Sequence, residues 1–523
     1  MTVDATQLYL GSSVAELYRS AFKSFGRREA LVGGGVRLTF GELEGLVHQA
    51  VRYLESIGLR RQDGIAILAD NRPDAVVAII AAQYLGLRST ALHPLGSLED
   101  QAFVLRDAGI KALVVDAGRF AARGRALADL GIVPHVLTLG PADYGTDLAP
   151  AAAGMSAADM PILVQPEDIS KITYTGGTTG RPKGVMQQQR TVVTMTLQQM
   201  ACWEWPQETR FLAATPISHA AGACVLPTFL RGGTVYFMEK FESVGFLRTV
   251  QEHRITSTFL VPTQIYGLLD SPAVDEHDVS SLEMVLYGAA PMAPARLAEG
   301  LKRFGPVFCQ LYGQTEAPMT ITYLRRDEHD PARPHLLGSC GRVLPGNQVR
   351  LLDTANQEVA QGDVGELCVR GPLLMAGYLN RPEETDKVFD GGWLHTGDMA
   401  RMDAEGYFYL VDRAKDMIIS GGFNVYSSEV ENCLALHPAV AMSAVIGVPH
   451  PKWGEAVTAV VVAKPGAQVT EKELIDFVAS NKGVVNAPKT VLFASELPLT
   501  AIGKLDKKAI RARYWEGQER QVS

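Results

Sequence analysis

The run Tyr174-Thr175-Gly176-Gly177-Thr178-Thr179-Gly180-Arg181-Pro182-Lys183-Gly184 gathers the residue types that hold phosphate. Glycines let successive backbone N–H groups turn toward one centre, a concavity for anionic oxygens. The hydroxyls of Thr175, Thr178 and Thr179 add donors, and Lys183 adds a point charge. The P-loop of common ATPases needs Gly-Lys-Ser/Thr after a four-residue gap. Here Arg181 and Pro182 separate Gly180 from Lys183. Taken alone, the run is also compatible with a flexible surface loop. Phosphate is the chemistry it offers, and the rest of the chain must specify the reaction.

The elements that position such a loop follow from composition and pattern. A chain of 523 residues is too long for one compact core, so two or more domains are expected. Hydrophobic residues make up 47% and charged residues 20%, an ordinary globular balance. The net charge of −8 argues against general nucleic-acid binding. Six cysteines (Cys202, Cys224, Cys309, Cys340, Cys368 and Cys433) show no C-x-x-C spacing, which reads as reduced thiols in a cytoplasmic protein. The start MTVDATQLYLG has no basic n-region and no apolar h-region, so no secretory signal is expected. No apolar stretch approaches the length of a membrane span.

Over the first four hundred residues, short apolar runs alternate with helical patterns: "GIAILAD", then "PDAVVAIIAAQYLG", then "ALVVD". A helix is expected to start near Thr39. The alternation recurs in "TRFLAATP", "GTVYFME", "STFLVP" and "LEMVLYG", and predicts an α/β fold with doubly wound parallel sheets. From about Asn347 to Asp412, shorter strands separated by acidic turns predict a small antiparallel or barrel-like β subdomain. Residues 413–523 then carry a compact α+β pattern, so the expected division is an N-terminal domain of residues 1–412 and a C-terminal domain of 413–523.

Several further segments carry a family resemblance. "LYGAAP", "LYGQTEAP", "GWLHTGD", "DRAKD", "GGFNVY" and "LPLTAIGKLDKKAIR" follow the glycine loop in that order, and the match they belong to spans nearly the whole chain. The chain resembles the adenylate-forming acyl-CoA synthetase superfamily. That resemblance implies an N-terminal domain that binds adenylate and acyl group and a mobile C-terminal domain turning about a hinge near Lys415. It implies that the loop Thr175, Gly176, Gly177, Thr178, Thr179, Gly180 with Lys183 cradles ATP phosphates. Tyr312 and the Gly288-Ala289-Ala290 segment would lie against adenine. Thr315 would bond the α-phosphate and Glu316 help hold Mg²⁺. A hard cation of this kind takes carboxylate and phosphate oxygens. Asp398 would grip the ribose hydroxyls, Arg413 would contact ribose and phosphate, and Gly421-Gly422 would line the pantetheine tunnel of coenzyme A. Lys504 would be the catalytic lysine of adenylation, and His219 would sit between acyl pocket and CoA tunnel.

The match departs from the family pattern at three places. Gly176 stands where serine is frequent, Ser427 where proline is usual, and Met186-Gln187-Gln188-Gln189-Arg190 lacks a histidine common there. The first and third bear on the first half-reaction. Small residues at Ala220, Ala221, Gly222 and Ala223, and at Gly288, Ala289 and Ala290, favour a bulky or long apolar acid, and no lysine or arginine in those segments would pair a second carboxylate. The expected activity is therefore ligation of a hydrophobic carboxylic acid to CoA through an acyl-adenylate, with ATP and Mg²⁺, releasing AMP and pyrophosphate. Three alternatives stay open: an enzyme that only thioesterifies an adenylate supplied by a separate partner, an adenylation enzyme that loads a carrier protein, and a nucleotide-binding regulator without turnover. The oligomeric state is left open.

Overall fold

The computed structural model describes residues 11–94, 96–175, 182–413, 416–420, 423–500 and 504–514. Gly176 to Gly180, Lys415, Gly421 and Gly422, all singled out above, lie outside them.

Among the described residues the strands form four sheets. One has nine strands, in spatial order Arg342–Val343, Ala317–Leu324, Phe308–Gln314, Met284–Tyr287, Ser257–Leu260, Arg210–Ala213, Thr234–Phe237, Glu29–Gly33 and Val36–Thr39. Its interior is parallel and its margins are antiparallel. A second sheet of eight strands runs Gly377–Tyr378, Lys183–Gln188, Ile169–Thr175, Arg88–Ala91, Gly64–Leu68, Ile110–Asp116, His135–Leu139 and Thr146–Asp147. Non-consecutive neighbours with helical crossovers are what the alternating pattern predicted.

The local signals explain the elements. Thr39 and Glu42 close a capping box, which starts the helix Phe40–Ser56 where expected. The helix Pro73–Leu85 begins with proline at its first turn and ends at Gly86 in the left-handed region, φ 68°. It is apolar on nearly every side because both large sheets enclose it. One continuous core joins the two sheets. It runs from Leu31 and Phe211 to Ile65 and Val185, with Phe22, Val47 and Ile80 of three helices packed between. No helix among the described residues is long and apolar enough to cross a membrane. All six cysteines are free, and five are buried.

The small β unit is a four-stranded antiparallel sheet of Gln348–Leu352, Gly365–Arg370, Leu394–Met402 and Phe408–Arg413. Beyond it, Phe423–Val425, Ile418–Ser420, Gly454–Ala463, Val440–His450 and Thr490–Phe493 build a separate sheet with its own core around Val430, Val445, Val457 and Leu474. Polar contacts tie this α+β unit to the strand Phe408–Arg413 and fasten its own last helix. Asp412 Oδ2 accepts from Ser427 N at 2.5 Å and from Ser427 Oγ at 2.8 Å. Ser428 Oγ donates to the Val411 carbonyl. From the last helix, Lys507 Nζ reaches Ser427 Oγ and Glu431 Oε1, each at 2.7 Å, and Arg511 pairs with Asp416.

Candidate active site

The strands Phe308–Gln314 and Ala317–Leu324 form a hairpin in which Gln314 opposes Ala317, so Thr315 and Glu316 are its two-residue tip. The close approach requires glycine at position 313, where a Cβ would lie 2.3 Å from Met319 N. Just before the tip, Tyr312 is buried and its Oη donates to Asp398 Oδ2 at 2.7 Å. Asp398 faces Arg413 across the antiparallel ladder of the small β unit. Arg413 Nε lies 3.0 Å from Asp398 Oδ1. Each carboxylate oxygen therefore holds one donor. An ionised carboxylate offers about four lone-pair sites, so acceptor capacity remains for two hydroxyls.

Glu366 sets the approach to Asp398. Its Oε1 accepts from Gly397 N at 2.8 Å, and its Oε2 lies 2.8 Å from His395 Nδ1. Gly397 has φ 72°, the left-handed region that favours glycine. Lys504 reaches the same place from the other end of the chain. Burial, then the Arg413 guanidinium, depress its pKa to about 8, with Asp398 acting in the opposite direction. Thr500 N donates to the Lys504 carbonyl and Lys504 N donates to Thr500 Oγ1, which fixes the segment that carries the lysine.

A second group gathers around Tyr378. Its Oη donates to Glu316 Oε1 at 2.8 Å, and Lys183 Nζ lies 5.4 Å from its ring centroid while pairing with Glu384. Thr175 is the register partner of Lys183, so these two residues bracket the glycine loop. Gln187, in the segment that departs from the family pattern, is buried and donates through Nε2 to the Thr315 carbonyl at 2.6 Å. Gln187 thus braces the hairpin tip from the neighbouring sheet.

Gly288 follows the strand Met284–Tyr287, and a Cβ there would meet the Leu311 carbonyl at 2.5 Å. Ala289 beside it has φ 66° and is exposed. The small residues here serve a close packing of backbones as well as an open face. The same holds for Gly222, where a Cβ would lie 1.9 Å from the Ile217 carbonyl. His219 has Ser218 Oγ at 2.8 Å from Nδ1 and packs edge-on against His93, ring centroids 5.6 Å apart. Burial, then His93, Lys504 and Lys171, push its pKa down to about 4, so the imidazole is neutral at physiological pH.

The structure therefore brings Tyr312, Asp398, Arg413 and Lys504 to one centre, with His219 within electrostatic reach of Lys504. Lys183 and Glu316 meet through Tyr378. Gly176 to Gly180, Gly421, Gly422 and Lys415 lie outside the described residues. Sequence reasoning missed Glu366, Tyr378, Gln187 and Lys171. The last is a lone lysine in "ISKITYT", on the face of its strand shared by Thr173 and Thr175.

Comparison with known proteins bears on this arrangement. Residues 18–379 match the family described as AMP-binding enzyme, and residues 429–504 match the AMP-binding enzyme C-terminal domain. A medium/long-chain-fatty-acid–CoA ligase, FadD8, of Mycobacterium tuberculosis is 47% identical over 96% of this chain and 90% of its own length. A 3-[(3aS,4S,7aS)-7a-methyl-1,5-dioxo-octahydro-1H-inden-4-yl]propanoyl:CoA ligase of Rhodococcus jostii is 36% identical over 94% of this chain and 97% of its own. Among solved structures, the amide bond synthetase McbA of Marinactinospora thermotolerans aligns with a TM-score of 0.88 at 34% identity, covering 96% of this chain and all of that one. The chain thus belongs to the AMP-binding enzyme family, within the adenylate-forming acyl-CoA synthetase superfamily.

Proposed function

We propose that this protein is an ATP-dependent ligase that joins a hydrophobic carboxylic acid, medium to long in chain or bulky and cyclic, to CoA. The observation that carries the proposal is the convergence of Lys504 on the Asp398–Arg413 pair, since it sets a cation beside a carboxylate with room for ribose hydroxyls. In the first step the acid's carboxylate oxygen attacks the α-phosphorus of ATP, and the bond to pyrophosphate breaks. Lys504 stabilises charge along that line, a preorganised electrostatic contact. Tyr312 and Arg413 hold Asp398 in place for the ribose, and Gln187 holds Thr315 toward the α-phosphate. Glu316 suits Mg²⁺, because Tyr378 engages Oε1 and a hard carboxylate oxygen remains; the cation would supply neutralisation of phosphate charge.

In the second step the CoA thiol attacks the acyl carbon and AMP leaves. We read residues 1–412 and 413–523 as the two bodies whose rotation about Lys415 withdraws Lys504 and presents Gly421-Gly422 to the thiol arm. His219 is neutral and lines a cavity of about 140 Å³ that we read as the acyl cavity, so it orients rather than ionises. The brace from Gln187 supports a complete first half-reaction over thioesterification alone. The test supplies a panel of acids with ATP, Mg²⁺ and CoA, and follows AMP and acyl-CoA by mass spectrometry. Synthetic acyl-adenylates replace acid and ATP in a parallel series. Acyl-CoA from acid plus ATP is the expected result. Product from the adenylates alone, with the matching acids silent, overturns it.

A further inference from the structure

A cavity of about 140 Å³ opens beside His219, and one of its lining residues is a lysine with no obvious reason to be there. Ile67, Ile79, Met195 and Ile217 form an apolar wall, and Ser89 and Thr173 accompany Lys171 as a polar stripe. Lys171 sits in an interior strand of the eight-stranded sheet, opposite Ser89 on one neighbouring strand and Gln187 on the other. Lysine is a rare choice at such a position, because burial of an ammonium demands acceptors. Among the described residues Lys171 has no ion-pair partner. Among the described residues, the only acid lining the cavity, Asp70, is already paired with Arg119 at 3.2 Å. Burial alone lowers the Lys171 pKa, to about 8.

The cavity has a direction. His219 and Lys171 both line it, Lys504 is not among its described lining residues, and His219 lies within electrostatic reach of both lysines. Lys504 marks the end where a carboxylate meets the α-phosphate. Lys171 is then the cation inside the cavity itself, apart from Lys504, that the tail of an acid entering past His219 would meet. With no ligand bound, a polar-striped space of this size has room for several waters to solvate the ammonium. A plain alkyl tail displaces them and offers nothing in return. The lysine must then give up its proton or keep unsatisfied donors, and either outcome costs binding.

We propose that Lys171 is a specificity-determining residue, selecting acids whose otherwise hydrophobic tail carries a second oxygen function, a carbonyl or a carboxylate, far from the carboxylate that is activated. The proposal rests on the ligase reading above and narrows it. It also completes the earlier expectation about the pocket. The segments rich in small residues contain no cation, but a strand from the neighbouring sheet supplies one.

The test uses the full-length enzyme and three acids of equal chain length: the saturated monocarboxylic acid, its keto derivative near the far end, and the dicarboxylic acid. kcat and KM for acyl-CoA formation are measured for the native enzyme and for Lys171→Met, which keeps length and removes charge. The native enzyme is expected to favour at least one oxygenated acid over the saturated one by about tenfold or more in kcat/KM. Lys171→Met is expected to shift that ratio toward the saturated acid by about 10- to 100-fold, mainly through KM. A larger shift for the dicarboxylic acid identifies an anion as the partner, and a larger shift for the keto acid identifies a neutral carbonyl. Because the ratio compares two acids on one preparation, a loss of folded protein cancels. An unchanged ratio, with acyl-CoA still formed, overturns the role of Lys171 and leaves the ligase reading intact. Failure of the native enzyme to make acyl-CoA from these acids and from the wider panel overturns both.

Discussion

The pKa of Lys504 turns its proposed role into a quantitative test. Only the ammonium form stabilises charge on a phosphate, so adenylation depends on the fraction of Lys504 that holds its proton. With the group at about 8, that fraction in the free enzyme is about 0.9 at pH 7, about 0.5 at pH 8 and about 0.1 at pH 9. Acid-dependent exchange of pyrophosphate into ATP isolates the first half-reaction. Its kcat/KM is expected to fall about fivefold between pH 8 and pH 9. The limb in kcat lies higher, because bound phosphates favour the charged lysine. Lys504→Arg fixes the charge, so its profile is expected to be flat across this range, though lower overall by up to about 10²–10³. His219, neutral above pH 4, adds no limb here. Lys171 also sits at about 8 and is the rival source. If the alkaline limb survives in Lys504→Arg and vanishes in Lys171→Met, the reasoning about Lys504 fails. Unfolding does not imitate the effect through this group. Between pH 8 and the ordinary lysine value of 10.5 the folded state binds fewer protons than the unfolded chain, so its contribution to stability rises with pH.

Three further outcomes are expected. Tyr312→Phe removes a charge-assisted hydrogen bond to Asp398 while Arg413 stays in place, so KM for ATP should rise about tenfold in the exchange assay, with kcat little changed. Gln187→Leu leaves the Thr315 carbonyl without its donor, and the first half-reaction should slow by about tenfold while turnover of synthetic acyl-adenylate with CoA stays near native. Gly222→Ala forces a methyl group onto the Ile217 carbonyl, which should destabilise the fold by about 1–3 kcal/mol and lower the thermal midpoint, read by differential scanning fluorimetry.

Much of the architecture was legible because its signals are local. Thr39 and Glu42 announce a helix start three residues apart, and the run Gly64–Leu68 is buried on both faces as its composition requires. The motifs were legible as an ordered set, but their geometry was not. Asp398 and Arg413 meet through the register of a ladder, and a one-residue slip would separate them. Gln187 and Thr315 are 128 positions apart and belong to different sheets, so nothing in either segment announces the bond. Lys171 was hidden for another reason. Period-2 alternation shows which residues share its face but not that this face opens on a cavity. The smallness of Gly222 suggested space, whereas contact with the Ile217 carbonyl shows that backbone packing also demands it.

The polar stitching of the last helix makes the α+β unit a lever. Lys507 and Arg511 bolt that helix to Ser427, Glu431 and Asp416, so Lys504, three residues upstream of Lys507, is registered to the segment that resumes just after Arg413. A small backbone rotation in the stretch between Arg413 and Asp416 would then be amplified into a large displacement of one ammonium group, with little internal deformation to absorb it. The bonds from Ser427 to Asp412 and from Ser428 to Val411 lie close to that stretch and join the segments on either side of it. Under the rotation proposed above, these bonds would help set how long the lysine dwells at the phosphate, at a distance from the reacting atoms.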